Sequence, residues 1–202
     1  IDLRGKRVAV VGTGASAIQF VPEIQPVVGH LSVFQRTPHW VLPKMDQALP
    51  PLVQRLFKRL PLAQLAVRGA VFGIFETLNG GMQSVAAMKQ FQRLALFKLR
   101  RTVKDPELRQ RLTPNYVIGC KRVLQSNDWY PALVQANVDV VSSALAEVRG
   151  KTLIAADGST REVDIIILGT GFEVAEPPIA KRVFNRHGES MAEVWQGSPE
   201  GY

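Results

Sequence analysis

Hydrophobic and polar positions divide the chain into short apolar runs and one long middle stretch with helical periodicity. Apolar runs at residues 6–11, 31–34, 138–142 and 163–168 predict strands of one sheet, the last of them fully buried. Between the second and third runs, apolar residues recur every three or four positions over residues 46–112, which predicts helices. Strands interrupted by helices predict an α/β fold with a helical insertion.

The first strand runs directly into a glycine turn that predicts dinucleotide binding. Gly12 lets the chain turn sharply, Gly14 lets the backbone approach a diphosphate, and Ala17 packs the following helix on the strand. The phosphates would then meet free N–H groups at the start of a helix over residues 15–24. Pro22 should end the regular part of this helix early, because proline removes a backbone hydrogen bond. An ordinary tight turn is the alternative interpretation of so short a pattern.

The residues after the second strand indicate which dinucleotide is bound. In NAD sites an acid about 20 residues after the glycines binds the ribose 2'-hydroxyl. Here Gln35, Arg36 and Thr37 stand in that region, and no acid is present. A guanidinium binds phosphate with two parallel hydrogen bonds, which suits the extra 2'-phosphate of NADP. We therefore predict NADP(H) rather than NAD(H), with a solvated surface arginine as the alternative.

The positive charge of the chain is concentrated in the helical segment. Residues 46–112 contain 12 Lys or Arg against 4 acids, whereas the remainder has 13 of each, so the whole net charge of +8 lies there. A basic segment can bind nucleic acid, an anionic membrane or an acidic partner. Its aromatic residues are not interleaved with it in the pattern of a known nucleic-acid-binding module, so no nucleic acid is expected. Its most apolar part, residues 62–78, carries polar residues and makes a poor membrane span. We interpret the segment as helices with a solvated basic face that cover a core, and peripheral membrane contact is the alternative.

Two adjacent cations, Lys121 and Arg122, end a loop over residues 113–124. Neighbouring positive charges repel unless each has its own anion. One could meet the 2'-phosphate and the other a charge that develops during a reaction, although a pair of exposed surface cations is equally compatible with the composition. Cys120 beside them is interpreted as a small buried residue rather than a reactive thiol. Because it is the single cysteine, an internal disulfide framework is excluded, and a cytoplasmic location is expected. No Cys/His cluster has metal-ligand spacing, so no metal site is predicted.

Four landmarks in this order resemble the flavin-dependent monooxygenases of the Baeyer-Villiger type. They are the Gly-Thr-Gly-Ala-Ser-Ala-Ile-Gln, Phe-Gln-Arg-Thr-Pro, Gly-Cys-Lys-Arg and Gly-Thr-Gly-Phe segments at residues 12–19, 34–38, 119–122 and 169–172. The likeness covers nearly the whole chain. It implies a Rossmann-like NADP-binding domain of a two-dinucleotide-binding flavoprotein, with a helical insertion.

The resemblance also implies how the chain is divided. Residues 1–45 and 113–171 would form the two parts of the NADP-binding domain, and residues 46–112 the insertion. Residues 172–202 would return toward an FAD-binding domain. The family's FAD-binding glycine fingerprint and its histidine-containing signature do not occur in this sequence. We therefore expect an excised piece that binds NADP(H) without FAD and is inactive alone.

The resemblance implies the function and the site residues. In this family NADPH reduces FAD, and one oxygen atom of O2 is inserted into a ketone or other carbonyl substrate to give an ester or lactone. Arg122 would be catalytic. The residues that would bind NADPH are Gly12, Thr13, Gly14, Ala15, Ser16, Ala17, Ile18, Gln19, Arg36, Thr37 and Lys121. A flavin-containing monooxygenase that oxygenates nitrogen or sulfur is one alternative, and a nucleotide-binding module that docks on a partner or membrane through the basic segment is another.

Overall fold

The computed structural model describes residues 1–44, 48–81, 84–171 and 178–195. The chain divides into two units, residues 1–169 and 170–202. The elements of the first unit are, in chain order, β1 (Arg7–Val11), α1 (Ala17–Ile24), β2 (His30–Phe34), β3 (Val41–Leu42), α2 (Pro51–Arg59), α3 (Pro61–Gly81), α4 (Val85–Thr102), α5 (Pro106–Arg111), β4 (Leu124–Gln125), α6 (Trp129–Leu133), β5 (Val138–Val141), β6 (Leu145–Arg149), β7 (Thr152–Ala155), β8 (Thr160–Glu162) and β9 (Ile165–Leu168). The predicted start of the insertion at Asp46 and the landmark residue Phe172 lie outside the described residues.

A parallel sheet with strand order β5-β2-β1-β9 forms the centre of the first unit. At its carboxyl edge Val11 pairs with Phe34 of β2 on one side and with Leu168 of β9 on the other, and Phe34 pairs with Val141 of β5. Because these strands run in the same direction, the loops that follow them emerge at one edge of the sheet. The parallel sheet with its connecting helices confirms the predicted α/β class.

The prediction that Pro22 shortens the first helix is wrong. Helix α1 begins at Ala17, two residues later than expected, and runs through Pro22 for two further residues. Proline removes one backbone hydrogen bond from the helix. Burial offsets this loss, because Ala17, Ile18 and Val21 are packed in the same cluster as the apolar residues of β1.

The last strand of the sheet also differs from its prediction. Strand β9 begins at Ile165 rather than at residue 163, and it is not fully buried: Leu168 is 70% exposed and its neighbours in the strand are half-buried. Among the described residues, β9 pairs only with β1. A continuous apolar run therefore did not distinguish a central strand from a strand with one open edge.

The helical segment has a buried part and an exposed part. Leu99 and Val103, at the end of α4, belong to the main hydrophobic cluster of the sheet. Helix α3 instead exposes large apolar side chains along its length, including Leu62, Phe72 and Phe75. Within the described part of the chain, no helix is both long enough and apolar enough to span a membrane.

Strands β6, β7 and β8 form an antiparallel sheet of their own. The β7–β8 connection contains Gly158, whose φ of 84° is in the left-handed region that favours glycine. Leu153 and Ala155 of β7 pack with Ala9 and Phe34 of the parallel sheet. In the second unit, the described residues form a 3-10 helix (Pro178–Lys181) and α7 (Met191–Trp195).

The pair of Asp164 and Arg7 holds β9 beside β1. Asp164 accepts hydrogen bonds from the backbone N–H of Arg7 at 3.0 Å and from its Nε and Nη2 at 3.3 and 3.0 Å. These hydrogen bonds hold the pKa of the Asp164 carboxyl well below its ordinary value of 3.8. A carboxyl whose pKa is lower in the folded state stabilises the fold above its unfolded pKa and ceases to do so as the pH falls.

Replacing Asp164 by asparagine is therefore expected to lower the free energy of unfolding near neutral pH. The difference from the original protein should shrink as the pH falls below about 4, where the unfolded carboxyl takes up a proton. Urea unfolding at a series of pH values measures it. Arg7→Gln should give a pH dependence of the same sign but smaller, since it removes the side-chain donors to Asp164 and keeps the backbone N–H of residue 7. A difference that stays constant down to about pH 2 would contradict this account.

Candidate nucleotide-binding site

The predicted glycine turn lies directly after β1, at the carboxyl edge of the sheet. Gly12 has a φ of 107°, a conformation that side chains disfavour, and its N–H donates to the Phe34 carbonyl at 3.0 Å. A Cβ built on Gly14 would meet nothing within 4 Å. The space in front of Gly14 is therefore open, as the close approach of a diphosphate requires.

Apart from that of Gly12, the backbone N–H groups between β1 and α1 have no acceptor among the described residues. Within the described residues, the N–H groups of residues 13–17 donate no hydrogen bond, and the first donors that do are those of Ile18 and Gln19. Helix α1 has no acidic residue in its first turn. Free N–H groups at the positive end of a helix bind anions, so this turn fits a diphosphate.

The other predicted residues of this turn divide into buried and exposed ones. The side chains of Thr13, Ala17 and Ile18 are buried, so Ala17 and Ile18 could contact a nucleotide through their backbone alone. Ser16 is exposed at the start of α1, and the Gln19 side chain donates to the carbonyl oxygen of Ala15 at 2.6 Å. The third fingerprint position faces Gly169, where an added Cβ would lie at ordinary van der Waals distance, 3.7 Å, from that of Ala17.

The Arg36 loop, residues 35–39, follows β2 at the same edge as the glycine turn. Gln35 is buried and fixed at both ends: its N–H donates to the Val141 carbonyl at 2.8 Å, and its Nε2 donates to the Arg111 carbonyl at 3.0 Å. Arg36 next to it is exposed, and Thr37 is half-buried. The chain is thus anchored at the residue just before Arg36, which is predicted to bind the 2'-phosphate.

The Lys121 loop, residues 117–123, is joined to the Arg36 loop by a second small sheet. Strand β3 follows the Arg36 loop, β4 follows the Lys121 loop, and the two strands pair in parallel. The pairing is extended by hydrogen bonds from the Leu124 N–H to the Trp40 carbonyl at 3.0 Å and from the Ser126 N–H to the Leu42 carbonyl at 3.2 Å. Residues more than 80 positions apart are thereby brought together.

The three predicted cations have no anionic partner in the part of the chain that the structure describes. Arg36, Lys121 and Arg122 are exposed, and their side chains form no hydrogen bond or ion pair with the described residues. Arg7 and Arg161, in contrast, are each paired with an aspartate. A cation without a carboxylate partner keeps its attraction for an incoming phosphate.

Two buried polar atoms near these loops also lack partners among the described residues, His39 Nδ1 and Tyr116 Oη. Burial and the positive charge of Lys121 lower the pKa of His39, which favours its neutral form. Burial raises the pKa of the Tyr116 hydroxyl. Buried polar atoms of this kind are ordinarily satisfied by ordered water.

Several features of this region were not predicted from the sequence. Cys120 is exposed, so its interpretation as a buried residue is wrong; it lies at the surface of a loop, where no apolar packing covers it. Lys98 of α4 donates to the carbonyl oxygens of Leu42 and Ser126, which ties the helix to the β3–β4 pair. The helical periodicity around Lys98 indicates which side chains face the core. It does not indicate that the lysine donates to carbonyl oxygens of two distant segments.

The similarity to known proteins extends over the whole chain. No family model matches the chain. Over all 202 residues, the chain is 47% identical to a protein of Pseudomonas aeruginosa named Baeyer-Villiger monooxygenase, and it spans 38% of that protein. A protein of the same name from Streptomyces coelicolor is 48% identical over 200 residues, which are 98% of this chain and 38% of that protein. The chain is homologous to Baeyer-Villiger monooxygenases.

Solved structures agree with this homology at the level of the fold. The open crystal structure of cyclohexanone monooxygenase matches the whole chain with a TM-score of 0.77 and 24% identity, over 47% of its own length. Oxidized steroid monooxygenase bound to NADP matches with a TM-score of 0.78 and 24% identity, over 46% of its length. The chain thus spans less than half the length of these Baeyer-Villiger relatives and fold neighbours. The names of the relatives favour the Baeyer-Villiger prediction over oxygenation of nitrogen or sulfur and over a docking module.

Proposed function

We propose that these 202 residues are the NADPH-binding part of an FAD-dependent Baeyer-Villiger monooxygenase. The complete enzyme would insert one oxygen atom of O2 into a ketone to give an ester or lactone. Homology to proteins named Baeyer-Villiger monooxygenase supports the reaction class. The identity of the ketone is left open, because nothing in the described site selects one.

One observation carries the assignment of NADPH to this chain. The Arg36 loop precedes β3 and the Lys121 loop precedes β4, and these two strands pair in parallel. The Arg36 loop also follows β2, whose last residue accepts a hydrogen bond from the Gly12 N–H of the glycine turn. Among the described residues, free N–H groups for a diphosphate and the unpaired cation Arg36 therefore lie at one edge of the sheet, and the β3–β4 pair links Lys121, which also lacks an anionic partner there, to the Arg36 loop. NADPH has both groups, whereas NADH lacks the 2'-phosphate.

Each proposed residue then has a defined task. Residues 12–19 would hold the diphosphate mainly through the free backbone N–H groups of residues 13–17. Arg36, Thr37 and Lys121 would surround the 2'-phosphate. Arg122, exposed beside Lys121, would offer a permanent positive charge to negative charge that develops during the reaction. Bound NADPH supplies a hydride to FAD. FAD itself is not assigned to these residues, since they contain one dinucleotide fingerprint and it is used for NADPH.

The proposal is tested by the preference for NADPH over NADH in the complete FAD-loaded enzyme. Arg36→Ala is expected to raise KM for NADPH about tenfold and to leave KM for NADH nearly unchanged, because a charge-assisted hydrogen bond to the 2'-phosphate is lost. Steady-state oxidation of each coenzyme measures both constants.

The matched control for this charge change is Arg100→Ala. Arg100 is also exposed, but it lies in the last turn of α4 rather than in either cation loop. This variant should keep the original preference. An original enzyme that uses NADH as well as NADPH, or an Arg36→Ala variant with unchanged preference, would refute the assignment of the 2'-phosphate.

A further inference from the structure

The Lys121 side chain lies over an aromatic ring. Its Nζ is 5.0 Å from the centroid of the Tyr116 ring. Among the described residues the Lys121 side chain makes no hydrogen bond or ion pair, so this ring face is the contact that orients it. An ammonium group at this distance is attracted by the negative face of the ring. The attraction leaves the hydrogen-bond donors of the ammonium group available to an anion.

Tyr116 is in turn held by Trp40, which follows the Arg36 loop. The indole Nε1 of Trp40 donates to the Tyr116 carbonyl at 2.8 Å. The two rings meet edge to face, with centroids 6.5 Å apart and planes at 75°. Trp40 is buried together with Met88 and Ile118, and Tyr116 packs against this cluster. The support beneath Lys121 is therefore a packed part of the fold.

The hydroxyl group of Tyr116 does not explain this arrangement. Its oxygen is buried and has no hydrogen-bond partner among the described residues. Burial raises the pKa of the hydroxyl, so the ring is neutral at ordinary pH and acts on Lys121 through its aromatic face. The ring, and not the hydroxyl, is the part that contacts the cation.

We propose that Tyr116 is a positioning residue for NADPH selection: its ring holds the Lys121 ammonium toward the 2'-phosphate, and Trp40 fixes that ring relative to the Arg36 loop. This inference rests on the proposed function. Without the ring, the flexible lysine side chain would have to be ordered by the coenzyme itself, at a cost in conformational entropy. Tyr116 thus contributes to coenzyme preference without touching the coenzyme.

The test compares KM and kcat for NADPH and NADH in four variants of the complete enzyme: Tyr116→Phe, Tyr116→Leu, Lys121→Ala, and the double variant of the last two. Tyr116→Leu is expected to raise KM for NADPH roughly 2- to 5-fold, the size of an exposed cation–π contact, with KM for NADH and both kcat values unchanged. Tyr116→Phe should behave as the original, because it keeps the ring. The double variant should match Lys121→Ala alone, because Tyr116 acts through Lys121.

The outcomes separate this inference from the proposed function. If Lys121→Ala and Arg36→Ala both leave the preference for NADPH intact, the proposed function fails and the role of Tyr116 fails with it. If Lys121→Ala lowers the preference but Tyr116→Leu does not, the inference alone is overturned. Equal losses for both coenzymes, or losses that add in the double variant, would show a merely structural role and also overturn it.

A second variant covers the case in which Tyr116→Leu does not fold. Pentafluorophenylalanine at position 116 keeps the shape of the ring but withdraws the negative charge from its face. It is expected to raise KM for NADPH by a factor similar to that of leucine, while Tyr116→Phe remains the matched control. An unchanged KM for NADPH with the fluorinated ring would overturn the role of the cation–π contact.

Discussion

Replacing Arg122 by alanine is expected to abolish ester formation by the complete enzyme while NADPH oxidation continues. The Arg122 side chain is exposed and has no partner among the described residues, so no described carboxylate neutralises the charge that we propose for the reaction. Removing one group that stabilises developing negative charge typically lowers the rate roughly 100- to 1,000-fold. Chromatographic quantification of the ester, alongside spectrophotometry of NADPH, separates the two activities.

Two companion variants make this result specific. Arg122→Lys keeps a positive charge but not the planar guanidinium, so partial ester formation is expected. Arg101→Ala removes an equally exposed arginine from the end of α4 and should leave ester formation unchanged. Full ester formation by Arg122→Ala would remove Arg122 from the mechanism, even if NADPH binding were as proposed.

The second large effect is expected at Gly14. A Cβ at this position meets nothing within 4 Å in the protein, so Gly14→Ala should fold normally. The added methyl group would instead occupy the space proposed for the diphosphate. Each charge-assisted hydrogen bond contributes about 1.5–3 kcal/mol, so losing two should weaken NADP⁺ binding on the order of 100-fold or more. Titration of the FAD-loaded enzyme with NADP⁺ measures this.

A matched glycine is present in helix α3. A Cβ added at Gly73 would also meet nothing within 4 Å, but Gly73 is far from the glycine turn in the sequence and lies in a helix interior. Gly73→Ala should bind NADP⁺ with the original affinity and melt at the same or a slightly higher temperature. Tight NADP⁺ binding by a folded Gly14→Ala variant would show that the diphosphate does not approach this turn.

The glycine turn and the sheet were predictable from the sequence because their determinants are local. The strand before Gly12 is continuous and apolar, and the turn needs glycine for a conformation that the structure shows directly, a φ of 107°. The fold class was therefore accessible from the sequence, whereas the roles of the predicted site residues are still proposals.

The features missed in the sequence depend on contacts between distant segments. Lys121 lies over the Tyr116 ring, and Trp40 donates to the Tyr116 carbonyl. Nothing in the residues around Lys121 indicates a contribution from a residue more than 70 positions earlier. Helix α1 passes through Pro22 because burial of its other face outweighs one lost hydrogen bond. Strand β9 has one open edge because, among the described strands, only β1 pairs with it. An apolar run does not indicate how many neighbouring strands a strand will have.

The end of helix α5 has a consequence for how this protein could be re-engineered or diversify. The Arg111 carbonyl accepts from Gln35, and the Arg111 guanidinium donates to the Val140 carbonyl at 3.1 Å, so the last turn of the helical segment holds the residue just before Arg36. Exchanging this segment between homologues would therefore alter coenzyme recognition together with whatever surface the helices provide. A chimera that preserves coenzyme choice should place its junction upstream of α5, so that both contacts of Arg111 are retained.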